Sequence, residues 1–205
     1  MPTPSGQRAE MVRRLHAEGI TDRRVLDAMG EVPRERFVPE AVAADAYLDV
    51  PLSIGAGQTI STPWIVAFST GSLGVGPEDT ALEVGTGSGY GAAVLSRCCR
   101  AVVTIERHPE LAEGARTRLA ELGYDNVEVR TGDGSLGAPD RALFPAILVT
   151  AMAAEELPSA LAEQLTPSGT LVCPVGTGSA GTLLRYHGGR TEELADVAFV
   201  PLTTD

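Results

Sequence analysis

From Thr80 onward, short apolar runs alternate along the chain with segments of helical periodicity. The runs are five or six residues long and are predicted to be strands at 80–84, 101–106, 126–130, 146–150 and 170–175. The segments between them carry apolar residues at helical spacing, which predicts helices at 91–98, 109–122 and 155–165. Strands that alternate with helices in this way form right-handed βαβ units and an open parallel sheet.

Two more apolar runs follow near the end of the chain without a helix between them. They are TLLRY (182–186) and LADVAFVPL (194–202), and the turn-like sequence HGGR lies between them. Two strands joined by a turn predict an antiparallel hairpin at the edge of the sheet. We therefore expect a Rossmann-like α/β fold with a mostly parallel, seven-stranded sheet.

The first fifty residues follow a different pattern, which is polar and helical. Apolar residues at helical spacing predict helices over 10–18 and 22–30. Prolines at 33 and 39 predict short, kinked pieces after them, and Pro63 predicts the first turn of a third helix. This part of the chain is a helical N-terminal extension of the sheet.

The composition fits one domain with a core of aliphatic side chains. Hydrophobic residues make up 43% of the 205 residues, but aromatic residues only 4%. Val, Leu, Ile and Ala must therefore fill the core, as they do in a parallel sheet that is buried on both faces. We expect a single domain over 1–205, with the extension and a substrate-facing loop in 1–70 and the sheet in 78–205.

The charge of the chain disfavours several classes of partner. The formal net charge is −11, and the basic residues form no cluster. Such a surface repels nucleic acid and anionic membranes, so we expect neither as a partner. The sequence shows no signal-peptide pattern and no apolar run near the roughly 18 residues of a membrane span. We expect a cytoplasmic protein, and a monomer rather than an oligomer.

Cysteine and histidine point to no disulfide framework and no metal site. The cysteines Cys98, Cys99 and Cys173 are odd in number, and two of them are adjacent. The three histidines lie far apart in the sequence. We therefore expect reduced cysteines and no bound metal.

A glycine-rich turn follows the first strand of the predicted sheet and leads into a helix. It reads EVGTGSGYG over 83–91. Gly87, Gly89 and Ala92 satisfy the G-x-G-x-x-G/A pattern of dinucleotide-binding proteins. The turn also matches the E-x-G-x-G-x-G spacing of enzymes that bind S-adenosyl-L-methionine (AdoMet), which carries an amino acid and no phosphate. Glu83 would repel a pyrophosphate but could hold an ammonium group.

Two further acidic residues lie at the ends of the next strands. Glu106 ends the second strand, where an acid accepts hydrogen bonds from a ribose diol in NAD and AdoMet sites alike. Asp133 follows the third strand, where a carboxylate suits an adenine edge. Together with Glu83 they favour AdoMet over NAD, and hence the AdoMet-dependent methyltransferase variant of the fold.

The segment SIGAGQTISTPWIVA, residues 53–67, contains no Asp, Glu, His, Lys, Arg or Cys. A carboxylate is ionised at pH 7 and needs no base to attack a sulfonium methyl group. It needs orientation and the exclusion of water, which neutral donors can provide. The segment therefore favours methylation of a carboxylate. The competing interpretation is a structural loop that packs the N-terminal helices on the sheet.

The chain resembles the protein-L-isoaspartate O-methyltransferase family over nearly its full length. The matching segments are VLDAMGEVPRERFVPE, AYLDVPLSIGAGQTISTPWIVA, LEVGTGSGYGAAVLS, VVTIERHPELAEGARTRL, GDGSLGAPDRALFPAILVTA, LAEQLTPSGTLVCPVG and FVPL. The glycine-rich turn is common to AdoMet enzymes, whereas GQTIS is far more specific. The resemblance implies AdoMet-dependent methylation of L-isoaspartyl residues in damaged proteins, with S-adenosyl-L-homocysteine as the product.

The resemblance also implies roles for individual residues. Ser61 is implied as the active-site hydroxyl beside the substrate carboxylate. The implied substrate contacts are Thr59, Ile60, Thr62, Thr150 and Val200. The implied AdoMet contacts are Glu83, Gly85, Thr86, Gly87, Ser88, Gly89, Glu106, Arg107, Gly132, Asp133 and Gly134.

Several positions depart from the family pattern on the substrate side. Thr62 stands where Gln is usual, Ala56 where His or an aromatic residue is frequent, and Pro145 where Asp is usual. Pro145 is expected to open the fourth strand. The departures leave two alternatives open: a homologue that methylates one aspartate in a modified biosynthetic peptide, and a non-catalytic AdoMet-binding interaction protein.

Overall fold

The structure is a computed structural model that describes residues 3–204. Helices α1 (Pro4–Ala17) and α2 (Arg23–Glu31) open the chain, and 3₁₀ turns follow at Arg34–Phe37 and Glu40–Asp45. Each helix has a side-chain cap: the Thr3 hydroxyl accepts from the Gly6 N–H, and Asp22 accepts from the N–H groups of Arg24 and Val25. Because Thr3 caps α1 and Pro4 occupies its first turn, the helix begins earlier than the predicted residue 10.

A small antiparallel hairpin joins this extension to the rest of the chain. It consists of β1 (Leu52–Gly55) and β2 (Gln58–Ile60), and α3 (Pro63–Leu73) follows it. The hairpin was not predicted, because its turn depends on positive φ angles at Gly55, Ala56 and Gly57. The prediction that Pro63 starts a helix agrees with the structure, in which the Thr62 side chain caps α3.

The central sheet contains the seven predicted strands, of which the first two have the predicted bounds and the others shifted bounds, and one further strand of two residues that was not predicted. They are β3 (Thr80–Val84), β4 (Ala101–Glu106), β5 (Val127–Thr131), β6 (Phe144–Val149), β7 (Ala153–Ala154), β8 (Leu165–Thr177), β9 (Ala180–His187) and β10 (Arg190–Ala198). The order is β10-β9-β8-β6-β3-β4-β5, and the two-residue β7 pairs with β8. The strands from β8 to β5 are parallel, and β9 and β10 are antiparallel. The mostly parallel sheet with a C-terminal antiparallel hairpin is confirmed.

Three helices connect the strands of the sheet. They are α4 (Tyr90–Cys98), α5 (Pro109–Glu121) and α6 (Ser159–Ala162). The predicted helix over 155–165 is wrong in length, since α6 has four residues. Pro158 directly precedes α6 and prevents an earlier start of the helix. Pro167 already lies in β8, so the chain has left the helical conformation before it.

Pro145 does not open the fourth parallel strand but is its second residue. The pairing between β6 and β8 shifts at this point, from Phe144 opposite Leu165 to Ala146 opposite Thr170. Proline has no N–H to donate to a neighbouring strand. It is tolerated at such a bulge because the regular hydrogen bonding between the strands is interrupted there. The substitution is therefore accommodated within the sheet.

The core consists of two hydrophobic clusters on opposite faces of the sheet. Ala81 and Val102 point toward one cluster, which includes buried residues of α1–α4. Leu82 and Val103, one position further along, point toward the other cluster. The alternation follows from the two-residue repeat of a strand. Within residues 3–204, no helix combines the length and apolar character that a membrane crossing requires.

The last strand ends four residues before the end of the run that was predicted to form it. Instead of continuing to residue 202, β10 stops at Ala198. The following residues run beside Met152, whose N–H donates to the Val200 carbonyl at 2.7 Å and whose carbonyl accepts from the Leu202 N–H at 2.7 Å. The C-terminal tail therefore lies at the carboxyl edge of β6, next to the ends of the parallel strands.

Candidate active site

The glycine-rich turn between β3 and α4 is folded tightly against neighbouring strands. Gly85 has φ +98°, and its N–H donates to the Ile105 carbonyl at 2.8 Å. A Cβ at Gly85 would clash with the Thr150 hydroxyl oxygen, which lies 2.7 Å from the Gly85 carbonyl. Glycine is therefore required here both by backbone angle and by space.

Gly89 has a different task in the same turn. Its φ is +91°, and a Cβ there would meet the side chains of Ala115 and Leu119 at 3.3 Å. Gly89 therefore lets α4 begin close against α5. This position serves helix packing rather than the face of the turn that is open to a ligand.

Glu106 at the end of β4 holds the backbone of the turn. It is 6% exposed, and its Oε2 accepts from the Gly87 N–H at 2.8 Å. Its Oε1 accepts from the His108 N–H at 3.0 Å. Each carboxylate oxygen has a second lone pair that hydroxyl groups of a ligand can use.

Glu83 lies deeper, at the base of the turn. Its Oε2 accepts from the Thr104 hydroxyl at 2.6 Å, and Thr104 lies 2.6 Å from the Thr86 hydroxyl. Its Oε1 has no hydrogen-bond partner among the described residues 3–204. Burial raises the pKa of Glu83 to about 8; the Glu106 charge adds to this, and the Thr104 hydrogen bond opposes it. A cationic ligand would stabilise the ionised form.

Asp133 supports the structure after β5. Its Oδ1 accepts from both the N–H and the hydroxyl of Ser135, at 2.9 and 2.7 Å, and so caps the 3₁₀ turn Gly134–Leu136. Gly132 donates to the Glu106 carbonyl at 2.9 Å. Gly134 is buried, and a Cβ there would lie 2.5 Å from the Val84 side chain. The segment is packed tightly beside Glu106.

Two adjoining cavities open at this edge of the sheet. The first, the acid-lined cavity, is lined by residues that include Glu106, Arg107, His108, Gly134 and Val200. The second, the inner cavity, is lined by residues that include Ile60, Ser61, Glu83, Thr86, Ser88 and Tyr90. Thr59, Gly85, Gly87 and Thr150 line both cavities, which therefore form one cleft.

The C-terminal tail forms part of the cleft wall. Val200, Pro201, Leu202 and Thr203 line the acid-lined cavity. The Arg107 guanidinium donates to the Thr203 carbonyl at 2.7 Å. The family resemblance implied a place in the substrate pocket for Phe199, Val200 and Pro201, but Leu202 and Thr203 were not predicted, because a terminal segment gives no periodic signal of its position.

The hairpin closes the cleft from the other side. Ser61 is half-buried and lines the inner cavity, and Thr59 lies where the two cavities meet. The Ser61 carbonyl accepts from the guanidinium of Arg34, a buried residue that sequence reasoning missed. Thr62 lines neither cavity, and its hydroxyl oxygen accepts from the Ile65 N–H at 3.3 Å.

Most of the predicted site residues therefore meet in the cleft. Those that do not line either cavity are Thr62, Gly89, Gly132 and Asp133. Residues 3–204 contain no group of three or more His, Cys, Asp or Glu side chains that could hold a metal ion. The cleft has Glu83 and Glu106 on the strand-end side and neutral groups on the hairpin side.

A model of the protein-L-isoaspartate(D-aspartate) O-methyltransferase family matches residues 6–205. The chain belongs to this family. The protein-L-isoaspartate O-methyltransferase 2 of Anaeromyxobacter sp. (strain Fw109-5) is 52% identical over 206 residues, which cover 98% of this chain and 84% of the relative. The protein-L-isoaspartate O-methyltransferase of Roseiflexus sp. (strain RS-1) is 51% identical over 202 residues, which cover 97% and 92%.

A solved structure with the same fold contains S-adenosyl-L-homocysteine, the product of an AdoMet-dependent methyl transfer. It is a protein-L-isoaspartate O-methyltransferase-type β-aspartate methyltransferase from Plasmodium falciparum, in complex with S-adenosyl-L-homocysteine. The TM-score is 0.80 at 26% identity, and the match covers 97% of this chain and 99% of that one. The resemblance of the sequence to protein-L-isoaspartate O-methyltransferases is therefore confirmed.

Proposed function

We propose that this protein is an AdoMet-dependent carboxyl methyltransferase that methylates L-isoaspartyl residues in peptides and proteins. Family membership supports the reaction class. The observation that carries the proposal is the inner cavity, in which the neutral Ser61 lies opposite the glycine-rich turn. A carboxylate and a methyl donor would meet in that space.

The strand-end side fits AdoMet. Glu106 is placed at the end of β4 with a lone pair on each oxygen for the ribose hydroxyl groups. Glu83 has a buried oxygen without a partner among residues 3–204, which suits the ammonium group of the methionine part. Gly85 and Gly87 bring bare backbone to the cleft between these two acids. When bound, AdoMet supplies an electrophilic methyl group on a sulfonium centre.

The hairpin side fits a carboxylate that must react rather than bind tightly. The substrate carboxylate is ionised at pH 7. In our proposal the Ser61 hydroxyl donates to one of its oxygens, and the backbone of Thr59 and Ile60 holds the peptide nearby. Thr150 and Val200 form the wall beside the turn. A cation in direct contact would bind the anion in the ground state and lower its nucleophilicity.

The transfer itself requires little from the protein beyond placement. One carboxylate oxygen attacks the methyl carbon, and the bond from that carbon to sulfur breaks in line. The products are a methyl ester and S-adenosyl-L-homocysteine. No proton moves, which accounts for the lack of an ionisable residue in 53–62. Repair of damaged proteins follows from the family's activity.

The setting of the enzyme is also part of the proposal. Cys98, Cys99 and Cys173 are free and buried, which fits a reducing cytoplasm. The net charge of −11 disfavours nucleic acid and anionic membranes as partners. We propose that the enzyme acts as a monomer on exposed, flexible segments of damaged proteins.

The experiment compares an isoaspartyl peptide with the same peptide carrying normal aspartate. Release of S-adenosyl-L-homocysteine and base-labile methyl ester are measured together. The proposal predicts transfer to the isoaspartyl peptide and little to its aspartyl twin. AdoMet binding without transfer to the isoaspartyl peptide, or a preference for the aspartyl peptide, would overturn it.

A further inference from the structure

Arg34 is fully buried, and its guanidinium donates to backbone carbonyls. Its Nε donates to the Ala46 carbonyl and its Nη2 to the Ser61 carbonyl, each at 2.7 Å. The guanidinium carbon lies 4.7 Å from the centroid of the Tyr90 ring. Its Nη1 has no hydrogen-bond partner among residues 3–204. Arg34 also makes no ion pair with a carboxylate within that part of the chain.

A buried cation without a paired anion is expensive to keep. Burial lowers the pKa of the Arg34 guanidinium, while Tyr90, Asp49 and Tyr47 act in the opposite direction. Arginine nevertheless stays protonated in proteins. An apolar side chain of similar volume would avoid the loss of hydration and is often neutral or stabilising in place of a buried ion. The presence of a charge at this position therefore requires an explanation, which we seek in the backbone carbonyls that Arg34 binds.

Arg34 contacts three separate segments of the chain, two of which line the inner cavity. Ala46 follows the 3₁₀ turn Glu40–Asp45 of the N-terminal extension. Ser61 lies between the hairpin and α3. Tyr90 lies at the end of the glycine-rich turn as the first residue of α4, and it lines the inner cavity together with Ser61. One side chain thus fixes the substrate loop relative to the turn.

The contact with the Ser61 carbonyl also fixes the peptide group that follows it. The peptide bond between Ser61 and Thr62 is trans, so its carbonyl and the Thr62 N–H point in opposite directions. On the far side, the Thr62 hydroxyl oxygen caps α3 through the Ile65 N–H. The Ser61 backbone is therefore held between a buried cation and the start of a helix.

We propose that Arg34 is a positioning residue for methyl transfer, which holds the Ser61 backbone and thereby orients the Ser61 hydroxyl in the inner cavity. Arg34 places its positive charge behind the Ser61 peptide group rather than in the cleft. The substrate carboxylate is thus attracted without the direct ion pair that would lower its reactivity. This proposal rests on the methyl transfer to isoaspartyl carboxylates proposed above.

The test uses two variants of Arg34 and one matched control. Arg34→Met removes the charge and both hydrogen bonds, and Arg34→Lys keeps the charge without the two-carbonyl fork. Arg36→Met is the control, because Arg36 lies in the same 3₁₀ turn and is exposed. We measure kcat and KM with an isoaspartyl peptide, the Kd of AdoMet by calorimetry, and thermal unfolding.

The expected result is a selective loss of turnover. Arg34→Met should lower kcat by about 10- to 100-fold, as small displacements of a reacting group do, while the Kd of AdoMet changes by less than about threefold. Arg34→Lys should fall between wild type and Arg34→Met. Arg36→Met should match wild type in each measurement. A kcat within about twofold of wild type in Arg34→Met, or an equal loss of AdoMet affinity, would contradict the proposal.

A chemical rescue separates positioning from a general role in stability. Guanidinium ion, added to Arg34→Ala well below denaturing concentration, should raise kcat, whereas urea at the same concentration should not. If Arg34→Met and Arg34→Ala fail to fold, the kcat of Arg34→Lys decides, and an unchanged value overturns the proposal. If wild type itself does not methylate the isoaspartyl peptide, the proposed function fails instead.

Discussion

Glu106 and Ser61 line the same cleft, but the protein holds them in different ways. Glu106 comes from the sheet, and its carboxylate accepts from the Gly87 N–H of the glycine-rich turn and from the His108 N–H just after β4. Ser61 comes from the connection between a hairpin and a helix, and its side chain makes no such structural bond in residues 3–204. Only its carbonyl is tied down, by Arg34.

The strand-end side and the hairpin side of the cleft also differ in charge. The strand-end side exposes Glu106 to the cleft and keeps Glu83 at the base of the turn. The hairpin side has no ionisable residue from 53 to 67, and the nearest cation, Arg34, is turned inward. A cationic cofactor is bound well by acids, whereas a carboxylate that must attack benefits from neutral donors. From this contrast we infer that cofactor binding and substrate reactivity are assigned to opposite walls of the cleft.

The largest effect is expected at Glu106. Glu106→Ala removes the proposed ribose acceptor and also releases two backbone N–H groups, that of Gly87 in the turn and that of His108 after β4. Losing two charge-assisted hydrogen bonds of about 1.5–3 kcal/mol each should raise the Kd of AdoMet by at least about 100-fold. Calorimetry measures this, with the exposed Glu110→Ala as control. An unchanged Kd in Glu106→Ala would break the assignment of binding to the strand-end wall.

The next effect is expected at Ser61. Ser61→Ala removes the hydroxyl proposed to orient the substrate carboxylate, so kcat with an isoaspartyl peptide should fall by about 30-fold. Initial rates at saturating AdoMet measure this. Ser72→Ala serves as control, since the Ser72 hydroxyl donates to Phe68 in its own helix. Full activity in Ser61→Ala would show that the hairpin wall orients the substrate without this hydroxyl.

A pH dependence is expected from Glu83. Burial raises its folded pKa from 4.5 to about 8, so the folded protein keeps a proton that the unfolded chain loses. Its contribution to stability is therefore fully present below about pH 4.5 and is lost as the pH rises through 8. Between pH 6 and 7 the unfolding free energy of wild type should fall relative to Glu83→Gln by up to about 1.4 kcal/mol.

Urea unfolding of wild type and Glu83→Gln at both pH values measures this difference. The pH dependence of AdoMet binding provides a second test of the protonation state of Glu83. An ammonium group beside Glu83 favours the ionised carboxylate, so the affinity of wild type should rise as the pH approaches 8, and that of Glu83→Gln should not. Parallel pH profiles of the two proteins would place the ammonium group elsewhere.

The smallest effect is expected at Thr62. Thr62→Val removes the oxygen that accepts from the Ile65 N–H at the start of α3, which should lower the unfolding free energy by about 1 kcal/mol. Thr62→Ser keeps that oxygen and should be close to wild type. The Kd of AdoMet should not change. A large loss of isoaspartyl methylation in Thr62→Ser would mean that Thr62 contacts the substrate after all.

The sequence predicted the strand-end wall better than the hairpin wall. Short apolar runs place the ends of β3 and β4, and with them Glu83 and Glu106, because parallel strands end at a common edge. The bonds from Glu106 to the turn could not be read from the sequence, since they depend on the loop's path. The β-hairpin was missed because its turn relies on Ala56 at φ +51° between two glycines.

Arg34 shows even more clearly what could not be predicted from the sequence. Its two carbonyl partners lie 12 and 27 residues away along the chain, and no local pattern links them. An arginine among charged neighbours in PRER resembles an ordinary surface residue, yet this one is fully buried. The family resemblance implied Thr62 as a substrate contact, whereas in the structure its side chain caps α3. The role of Arg34 depends on tertiary packing, whereas the Thr62 cap is a local contact with a residue three positions along the chain.

The division of labour between the two walls is tested most directly by the Kd of AdoMet for Ser61→Ala, measured by calorimetry beside wild type. The account predicts a Kd within about twofold of wild type, because Ser61 belongs to the wall that orients the substrate. A loss of AdoMet affinity as large as that of Glu106→Ala would contradict it.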